Sequence, residues 1–179
     1  DTCSGAAVNS HGGDPGITID AQGRYILVRL GRAPFYGLFS HTSTDKGLTW
    51  SAAVQITNHD LERANVAADI NPGSPHYGRI YATYVRFAPP YAAYITYSDN
   101  AGATWSAPVA VNNPSQRCAG PDITTGKDGK VYLAWAGVTS TSPFQETLVG
   151  FAVSSNGGTS WNITENAYSV NGINGTLAG

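Results

Sequence analysis

The chain has 179 residues, only 12% of them charged, with 21 glycines, 10 prolines and a formal net charge of −2. This length allows one core of fair size, and the composition favours short strands and turns over helices. The weak charge argues against a nucleic-acid partner, and no apolar run is long enough to span a membrane. There is no methionine, so we expect Asp1 to be a processed or trimmed end.

Three groups of strand-like segments follow one another in the same order along the chain. Each group begins with a short strand of small residues, a turn, and a second strand that starts at a glycine. A third strand, an eight-residue turn and a fourth strand complete the group. The first strands are predicted at 16–19, 65–68 and 122–125, the second at 23–29, 78–84 and 129–135, and the fourth at 51–56, 106–111 and 162–170.

The eight-residue turns share the pattern Ser-x-Asp/Asn-x-Gly-x-Thr/Ser-Trp, and we call residues 43–50, 98–105 and 154–161 the repeat turns. Their tryptophans lie 55 and 56 residues apart. The Asp or Asn side chain can accept backbone hydrogen bonds, the glycine supplies positive φ, and the tryptophan is expected to pack in the core. The residues given this structural role are Ser43, Asp45, Gly47, Thr49, Trp50, Ser98, Asn100, Gly102, Thr104, Trp105, Ser154, Asn156, Gly158, Ser160 and Trp161.

A four-stranded antiparallel unit with a period near fifty residues is typical of a β-propeller blade. We therefore predict an all-β chain with three blades at 14–57, 58–113 and 114–170, and with 171–179 as a lead-in to a further blade or a tail. Known propellers have roughly four to eight blades, so three cannot close a ring. The chain is expected to be half of a six-bladed ring, completed by a second copy or by the remainder of the same protein.

The repeat turns resemble the Asp-box (BNR) repeats of sialidases and related propellers, and the resemblance covers residues 11–170. It implies a propeller whose boxes lie on the face away from the active site. Sialidases are retaining glycosidases with a Tyr nucleophile assisted by a Glu, an Asp acid/base and three arginines that clamp the substrate carboxylate. Their first arginine lies in a Tyr/Phe-Arg-Ile-Pro motif that this sequence lacks. The catalytic residues of this chain are therefore unknown, and the resemblance assigns a catalytic role to none of its residues.

Strand order also sorts the connections between two ends of the propeller. The repeat turns share one end, the turn face, with the turns between first and second strands and with all three lysines. The opposite end, the loop face, has no lysine but four of the seven arginines, beside aromatic residues. Arginine can grip a carboxylate with two hydrogen bonds, and aromatic faces stack on sugars. The ligand-binding candidates are Arg63, Arg117, Arg32, Arg86, Tyr36, Tyr91 and Glu62.

Structural roles compete with these assignments. Arg32 and Arg86 could order their own loops by stacking on nearby aromatic rings, and Arg63 could pair with Glu62, Asp60 or a neighbouring blade. The histidines have no metal-ligand spacing, so we expect neither a metal site nor a cofactor. Cys3 and Cys118 form either one long-range disulfide or two separate buried thiols.

Two functions fit these features. The first is a secreted, sialidase-like Asp-box propeller that acts on glycans; if it is an enzyme, it is a glycoside hydrolase whose catalytic set is incomplete in this chain. The alternative is a non-catalytic propeller, assembled from two half-propeller chains, that binds glycan or protein on the loop face. In both cases the expected partners are a glycan or glycoconjugate and a second set of blades, with no nucleic acid and no membrane span.

Overall fold

The computed structural model describes residues 11–173, and in this range it contains strands, turns and no helix. Cys3 lies outside the described residues. Within the described part of the chain, no helix is long and apolar enough to cross a membrane. The twelve strands are β1 Gly13–Ile19, β2 Tyr25–Gly31, β3 Gly37–Ser43, β4 Val54–Thr57, β5 Leu61–Ala68, β6 Ile80–Arg86, β7 Ala93–Ser98, β8 Val109–Ala110, β9 Arg117–Thr125, β10 Val131–Val138, β11 Glu146–Ser154 and β12 Asn162–Ile173.

The strands form three four-stranded antiparallel sheets, each made of four consecutive strands. We call them blade 1 (β1–β4), blade 2 (β5–β8) and blade 3 (β9–β12). This arrangement confirms the predicted all-β fold with three four-stranded blades. β12 continues through Ile173, and residues 174–179 lie outside the described range.

The second strand of each blade begins two residues after the glycine that was predicted to start it. Gly23, Gly78 and Gly129 have φ values of 78°, 89° and 74°, which place them in the left-handed region that ends a turn. The fourth strand of blade 2 is also shorter than predicted, because β8 pairs only at Val109 and Ala110. Pro108 precedes it and has no N–H to donate to the ladder.

The apolar core consists of two layers, one at each junction between blades. Between blades 1 and 2, the buried residues include Ile26, Val28 and Leu30 from β2, packed with Ile80 and Tyr84 from β6. Between blades 2 and 3, Tyr81 and Ile95 pack with Val131, Leu133 and Trp135. Each fully buried large aliphatic residue contributes roughly 1.5–3 kcal/mol. Stacking of blade on blade therefore buries the apolar core of the described residues and makes a large contribution to stability.

Hydrogen bonds in each repeat turn follow one scheme. In the first, the Gly47 N–H donates to Ser43 Oγ at 2.8 Å, and the Thr49 N–H donates to Asp45 Oδ1 at 2.9 Å. Ser43 Oγ in turn donates to Asp45 Oδ1 at 2.8 Å. Equivalent bonds occur in the other two turns, where asparagine replaces the aspartate. These turns therefore have the local structure that their sequence predicts.

The prediction that the three repeat-turn tryptophans lie in the core is wrong, because all three are half-buried. Trp105 packs against the core between blades 1 and 2, and Trp161 packs against the core between blades 2 and 3. Each therefore covers the edge of the junction with the preceding blade. Trp50 belongs to blade 1, which has no preceding blade among residues 11–173. The tryptophan of a repeat turn is thus a residue of the blade junction.

Candidate functional site

The innermost strands β1, β5 and β9 each contain a bulge near the loop face. Their pairing registers shift between Gly13 and Gly16 in β1, between Glu62 and Asn65 in β5, and between Ala119 and Asp122 in β9. The residues at the equivalent bulge position are Asp14, Arg63 and Gly120, with φ values of 44°, 52° and 55°. A left-handed φ costs a residue with a side chain about 1 kcal/mol, and bulges are frequent beside functional sites. The bulges therefore make the loop-face ends of the inner strands the candidate position for a functional site.

Direct contacts connect these inner strands to one another. The Arg63 N–H donates to Asp14 Oδ2 at 3.1 Å, which joins β5 to β1. Asn65 Nδ2 donates to Asp122 Oδ1 at 2.5 Å, which joins β5 to β9. The three inner strands therefore hold one another in register at the centre of the propeller.

Arg117, the first residue of β9, lies among three aromatic rings. Its guanidinium carbon is 4.4 Å from the ring centroid of Tyr91, 5.2 Å from that of Phe144 and 5.9 Å from that of Phe87. Phe87 and Tyr91 also contact each other edge to face. Among the described residues, no carboxylate or carbonyl accepts a hydrogen bond from the Arg117 side chain. The rings therefore hold a cation whose donors remain available to a ligand.

Backbone bonds place Tyr91 beside Arg117. The Tyr91 N–H donates to Ala88 O at 2.8 Å, and Tyr91 has a left-handed φ of 59° at the end of its loop. The Cys118 N–H then donates to Tyr91 O at 3.1 Å, which ties this loop of blade 2 to the start of β9. A loop–strand contact across the blade junction thus positions the ring against the guanidinium.

Two pockets meet at Arg117. The first has a volume of about 260 Å³ and is lined by Arg63, Glu62, Tyr91 and Arg117 among others. The second has a volume of about 480 Å³ and lies between the loops, with Tyr91, Arg117 and Phe144 in its wall. Both pockets open on the loop face. They bring four of the seven predicted ligand-binding residues together.

Arg32 makes polar contacts with blade 2. Its Nη2 donates to Glu62 Oε1 at 2.7 Å, its Nη1 donates to Leu61 O at 3.2 Å, and Nη1 lies 3.6 Å from Asp60 Oδ1. These contacts join blade 1 to blade 2, a role that the sequence did not suggest for this arginine. Glu62 therefore reaches the pocket with its charge already paired.

The remaining candidates are spread over the loop face. Arg63 is exposed and runs beside Gly120, where an added Cβ would lie 3.5 Å from Arg63 Nη1. Arg86 is also exposed; burial, and then the positive charge of Arg86, lowers the pKa of His59. Tyr36 is 44% exposed, and its backbone carbonyl accepts a bond from Gln55. Neither Arg86 nor Tyr36 lines the pockets at Arg117.

Cys118 follows Arg117 in the wall of the pocket of about 260 Å³. It is a free, buried thiol, and burial raises its pKa to about 11. The Asn112 amide contacts its sulfur at 3.3 Å and donates to Glu165 Oε1 at 3.0 Å. In residues 11–173 no cluster of three or more His, Cys, Asp or Glu side chains could hold a metal ion.

The inner-strand bulges and the aromatic surroundings of Arg117 were not predicted from the sequence. The bulges had a signal, because Pro15 and Pro121 occupy equivalent positions inside two of the inner strands, and proline in a strand marks a bulge or an edge. The aromatic group had none, because Phe87, Tyr91 and Phe144 come from two loops that lie far apart in sequence.

No family model and no curated protein matches the chain. Solved structures do match. The microbial Hadza sialidase Hz136 gives a TM-score of 0.67 at 19% identity, over 87% of this chain and 37% of that one. The α-L-arabinofuranosidase Arb93A of Fusarium graminearum gives 0.62 at 13% identity, over 87% and 48%. A xylan β-1,4-xylosidase of Bacillus halodurans gives 0.57 at 14% identity, over 87% and 32%.

These similarities show the fold alone. The chain has the β-propeller fold found in these glycosidases, and it spans about a third to a half of their length. The loop face described above is the end of that propeller opposite the repeat turns.

Proposed function

We propose that the chain is part of a secreted, sialidase-like Asp-box propeller that acts on glycans, and that the loop face around Arg117 holds the sugar. In this proposal the repeat turns are Asp boxes with a structural role. The ligand is a glycan that carries a carboxylate. Arg117 grips the carboxylate, while Tyr91 and Phe144 pack against the sugar ring.

The surroundings of Arg117 carry this proposal. Three aromatic rings position its guanidinium at 4.4–5.9 Å from their centroids, and its donors have no acceptor in the described residues. A planar guanidinium with free edges matches the geometry of a carboxylate. Arg63 lines the same pocket and adds a second positive charge. Glu62 shares the pocket but is neutralised by Arg32 at 2.7 Å, so the site keeps a positive balance.

Glycan binding without hydrolysis is the second candidate function. The absence of the Tyr/Phe-Arg-Ile-Pro motif favours it, because the first arginine of the sialidase clamp has no counterpart in this sequence. The same site would then serve as a lectin-like surface. The two functions share the ligand and differ in whether a glycosidic bond is broken.

The test is a binding titration of the 179-residue chain with sialic-acid-containing and uronic-acid-containing oligosaccharides, against neutral oligosaccharides of equal length. We expect preference for the carboxylated sugars, and a loss of about tenfold or more in affinity for Arg117→Gln. Arg117→Lys keeps the charge but loses the planar fork, so it is expected to restore only part of the binding.

Arg24→Gln is the matched control, because Arg24 lies on the turn face and pairs with Asp20 at 2.6 Å. It removes the same charge and is expected to leave binding unchanged. Equal losses of affinity in both variants would show that binding depends only on the overall charge, and would refute the site. Release of free sugar from fluorogenic sialosides by the wild-type chain would favour hydrolysis, and binding without release would favour the second function.

A further inference from the structure

At both junctions inside the chain, the repeat turn of the later blade sits on the second and third strands of the blade before it. At the first junction, Thr42 Oγ1 donates to Ala101 O at 3.0 Å, and Trp105 Nε1 donates to Ser40 Oγ at 3.1 Å. At the second, Arg79 Nη1 donates to Gly157 O at 2.9 Å. Ala101 and Gly157 occupy the same position of their turns. The fourth residue of a repeat turn is thus held by the preceding blade.

The surface that receives the third repeat turn is formed by Tyr81 and Ile95 of blade 2. A Cβ added at Gly158 would lie 3.4 Å from the Tyr81 ring and 3.7 Å from Ile95. Tyr81 is 0% exposed and Ile95 is 1% exposed. The turn therefore covers both side chains.

Blade 3 carries the equivalent receiving surface. Counted from the glycine before each second strand and the serine that opens each repeat turn, Tyr132 corresponds to Tyr81, and Phe151 corresponds to Ile95. Their rings stack with centroids 6.2 Å apart on the outer face of the blade, where both are half-buried beside a pocket of about 130 Å³. Tyr168 extends the same face and is 66% exposed. This surface holds no turn in the described part of the chain.

Blade 1 carries the surface that is complementary to this receiving surface. Among residues 11–173, no hydrogen bond joins the repeat turn 43–50 to another blade, and its Leu48 is 70% exposed. Ile17 of β1 is 57% exposed, whereas the residues at the same position of β5 and β9, Val66 and Ile123, are 5% and 6% exposed. The outer face of blade 1 thus has the composition of a junction without the neighbouring blade.

We propose that these two surfaces bind each other in a homodimer. Repeat turn 43–50 of one copy sits on Tyr132 and Phe151 of the second copy, and blade 1 packs its Ile17 face against blade 3 of that copy. The same contact forms twice around a two-fold axis, which yields six blades and a closed ring. Blade 1 offers the turn and blade 3 offers the receiving surface, so the two surfaces are complementary. The dimer does not depend on the proposed function.

The internal junctions also predict a polar contact across the interface. Lys130 occupies the position of Arg79, and Lys46 occupies the position of Gly157. By analogy with the Arg79–Gly157 bond, Lys130 Nζ of one copy should donate to the Lys46 carbonyl of the other. Lys130 now pairs with Asp128 at 2.9 Å and is partly exposed, so its side chain can reorient.

Light scattering and chemical cross-linking test the proposal. The wild-type chain at micromolar concentration should have twice the chain mass of 18.7 kDa. The chain has only three lysines, Lys46, Lys127 and Lys130. In a mixture of ¹⁴N- and ¹⁵N-labelled chains, a short lysine-reactive reagent should join Lys46 of one isotope to Lys130 of the other.

Ile17→Glu and Phe151→Glu place a charge on either side of the interface and should each give a folded monomer, with circular dichroism unchanged. Ile70→Glu is the matched control, because Ile70 is 59% exposed and lies between β5 and β6 of the central blade. It should remain dimeric. A monomeric wild-type chain, which would leave the flanks to other blades of a longer polypeptide, overturns the proposal. Mixed-isotope cross-links that omit Lys46, or a dimer that survives both charged variants, overturn it as well.

Discussion

The central blade and the flanking blades have the same strand pattern but different environments. In blade 2, β6 is buried at six consecutive positions from Ile80 to Val85. In blade 3, β10 alternates between buried and half-buried residues along its whole length, and in blade 1, β2 leaves Tyr25 and Leu27 half-buried. Of the three described blades, only blade 2 has a neighbouring blade on each side.

This difference distinguishes the residue pattern of a strand from the burial that neighbouring blades provide. β1 presents Ile17 and Ile19 to the outside, at 57% and 50% exposure, and Gly16 toward blade 2. A strand with one solvated face normally carries polar residues there. The outer face of blade 1 is therefore apolar, like the faces of blade 2 that contact another blade.

The largest effect that separates the two environments is expected at the repeat-turn tryptophans. Trp105→Ala should destabilise the chain by about 2–4 kcal/mol, somewhat below the range for a fully buried aromatic residue. It removes contacts with the core between blades 1 and 2, together with the bond to Ser40. Trp50→Ala should cost about half as much, because no preceding blade packs against Trp50 in the described part of the chain. Denaturant titration measures both.

For position 50, this value is below the about 3–5 kcal/mol that removal of a fully buried tryptophan would cost, which is the position that the sequence predicts for Trp50. The comparison requires a concentration at which light scattering shows a monomer, because assembly would place Trp50 at a junction too. Equal losses in the two variants under that condition would show that the turn itself, and not the junction, stabilises the fold.

A smaller difference is expected between equivalent positions of the inner strands. Val66→Ala removes two methyl groups from a side chain that is 5% exposed in the core between blades 1 and 2. It should cost about 1–3 kcal/mol. Ile17→Ala at the matching position of blade 1 should stay within about 0.5 kcal/mol, as expected for a surface site. A loss at Ile17 as large as that at Val66 would mean that the outer face of blade 1 is covered even in the monomer.

Much of the fold could be predicted because it is encoded locally and written three times. The repeat turns, the glycines before each second strand and the strand order all depend on residues within a few positions of one another. The position of Trp105 could not be predicted, because its contacts with Ser40 cross 65 residues of sequence. A large apolar residue is compatible with both a core and a junction, and only the neighbouring blade decides between them.

The candidate site was likewise predictable only where it depends on local sequence. The sequence placed arginines and aromatic residues on one face, because strand order alone assigns a loop to one end of a blade. It could not pair Arg32 with Glu62, 30 residues away, or surround Arg117 with rings from two loops. Those contacts depend on how neighbouring blades are rotated relative to each other, which no local pattern encodes.

The smallest expected effect distinguishes the first repeat turn from the other two by pH. Hydrogen bonds from Thr49, and then from Ser43, lower the pKa of Asp45 from 3.8 to about 2. Because this pKa is lower in the folded chain than in the unfolded chain, ionised Asp45 stabilises the fold above pH 3.8. The contribution is lost as the pH falls through about 2. Asn100 and Asn156 hold the same position in the other turns and do not titrate.

Asp45→Asn therefore gives the first repeat turn the asparagine that the other two repeat turns have. Because all other acidic groups are the same in the two proteins, the difference between their pH profiles reports on Asp45 alone. We expect the wild type to lose stability relative to Asp45→Asn between about pH 4 and about pH 2, and the difference to be constant above about pH 5. Thermal melts of both proteins measure this difference, and the carboxyl carbon shift of Asp45 in NMR gives its midpoint. A midpoint near 3.8 would mean that the Thr49 and Ser43 bonds do not persist in solution. The first turn, which contacts no preceding blade in the described residues, would then be looser than the two turns that sit at junctions.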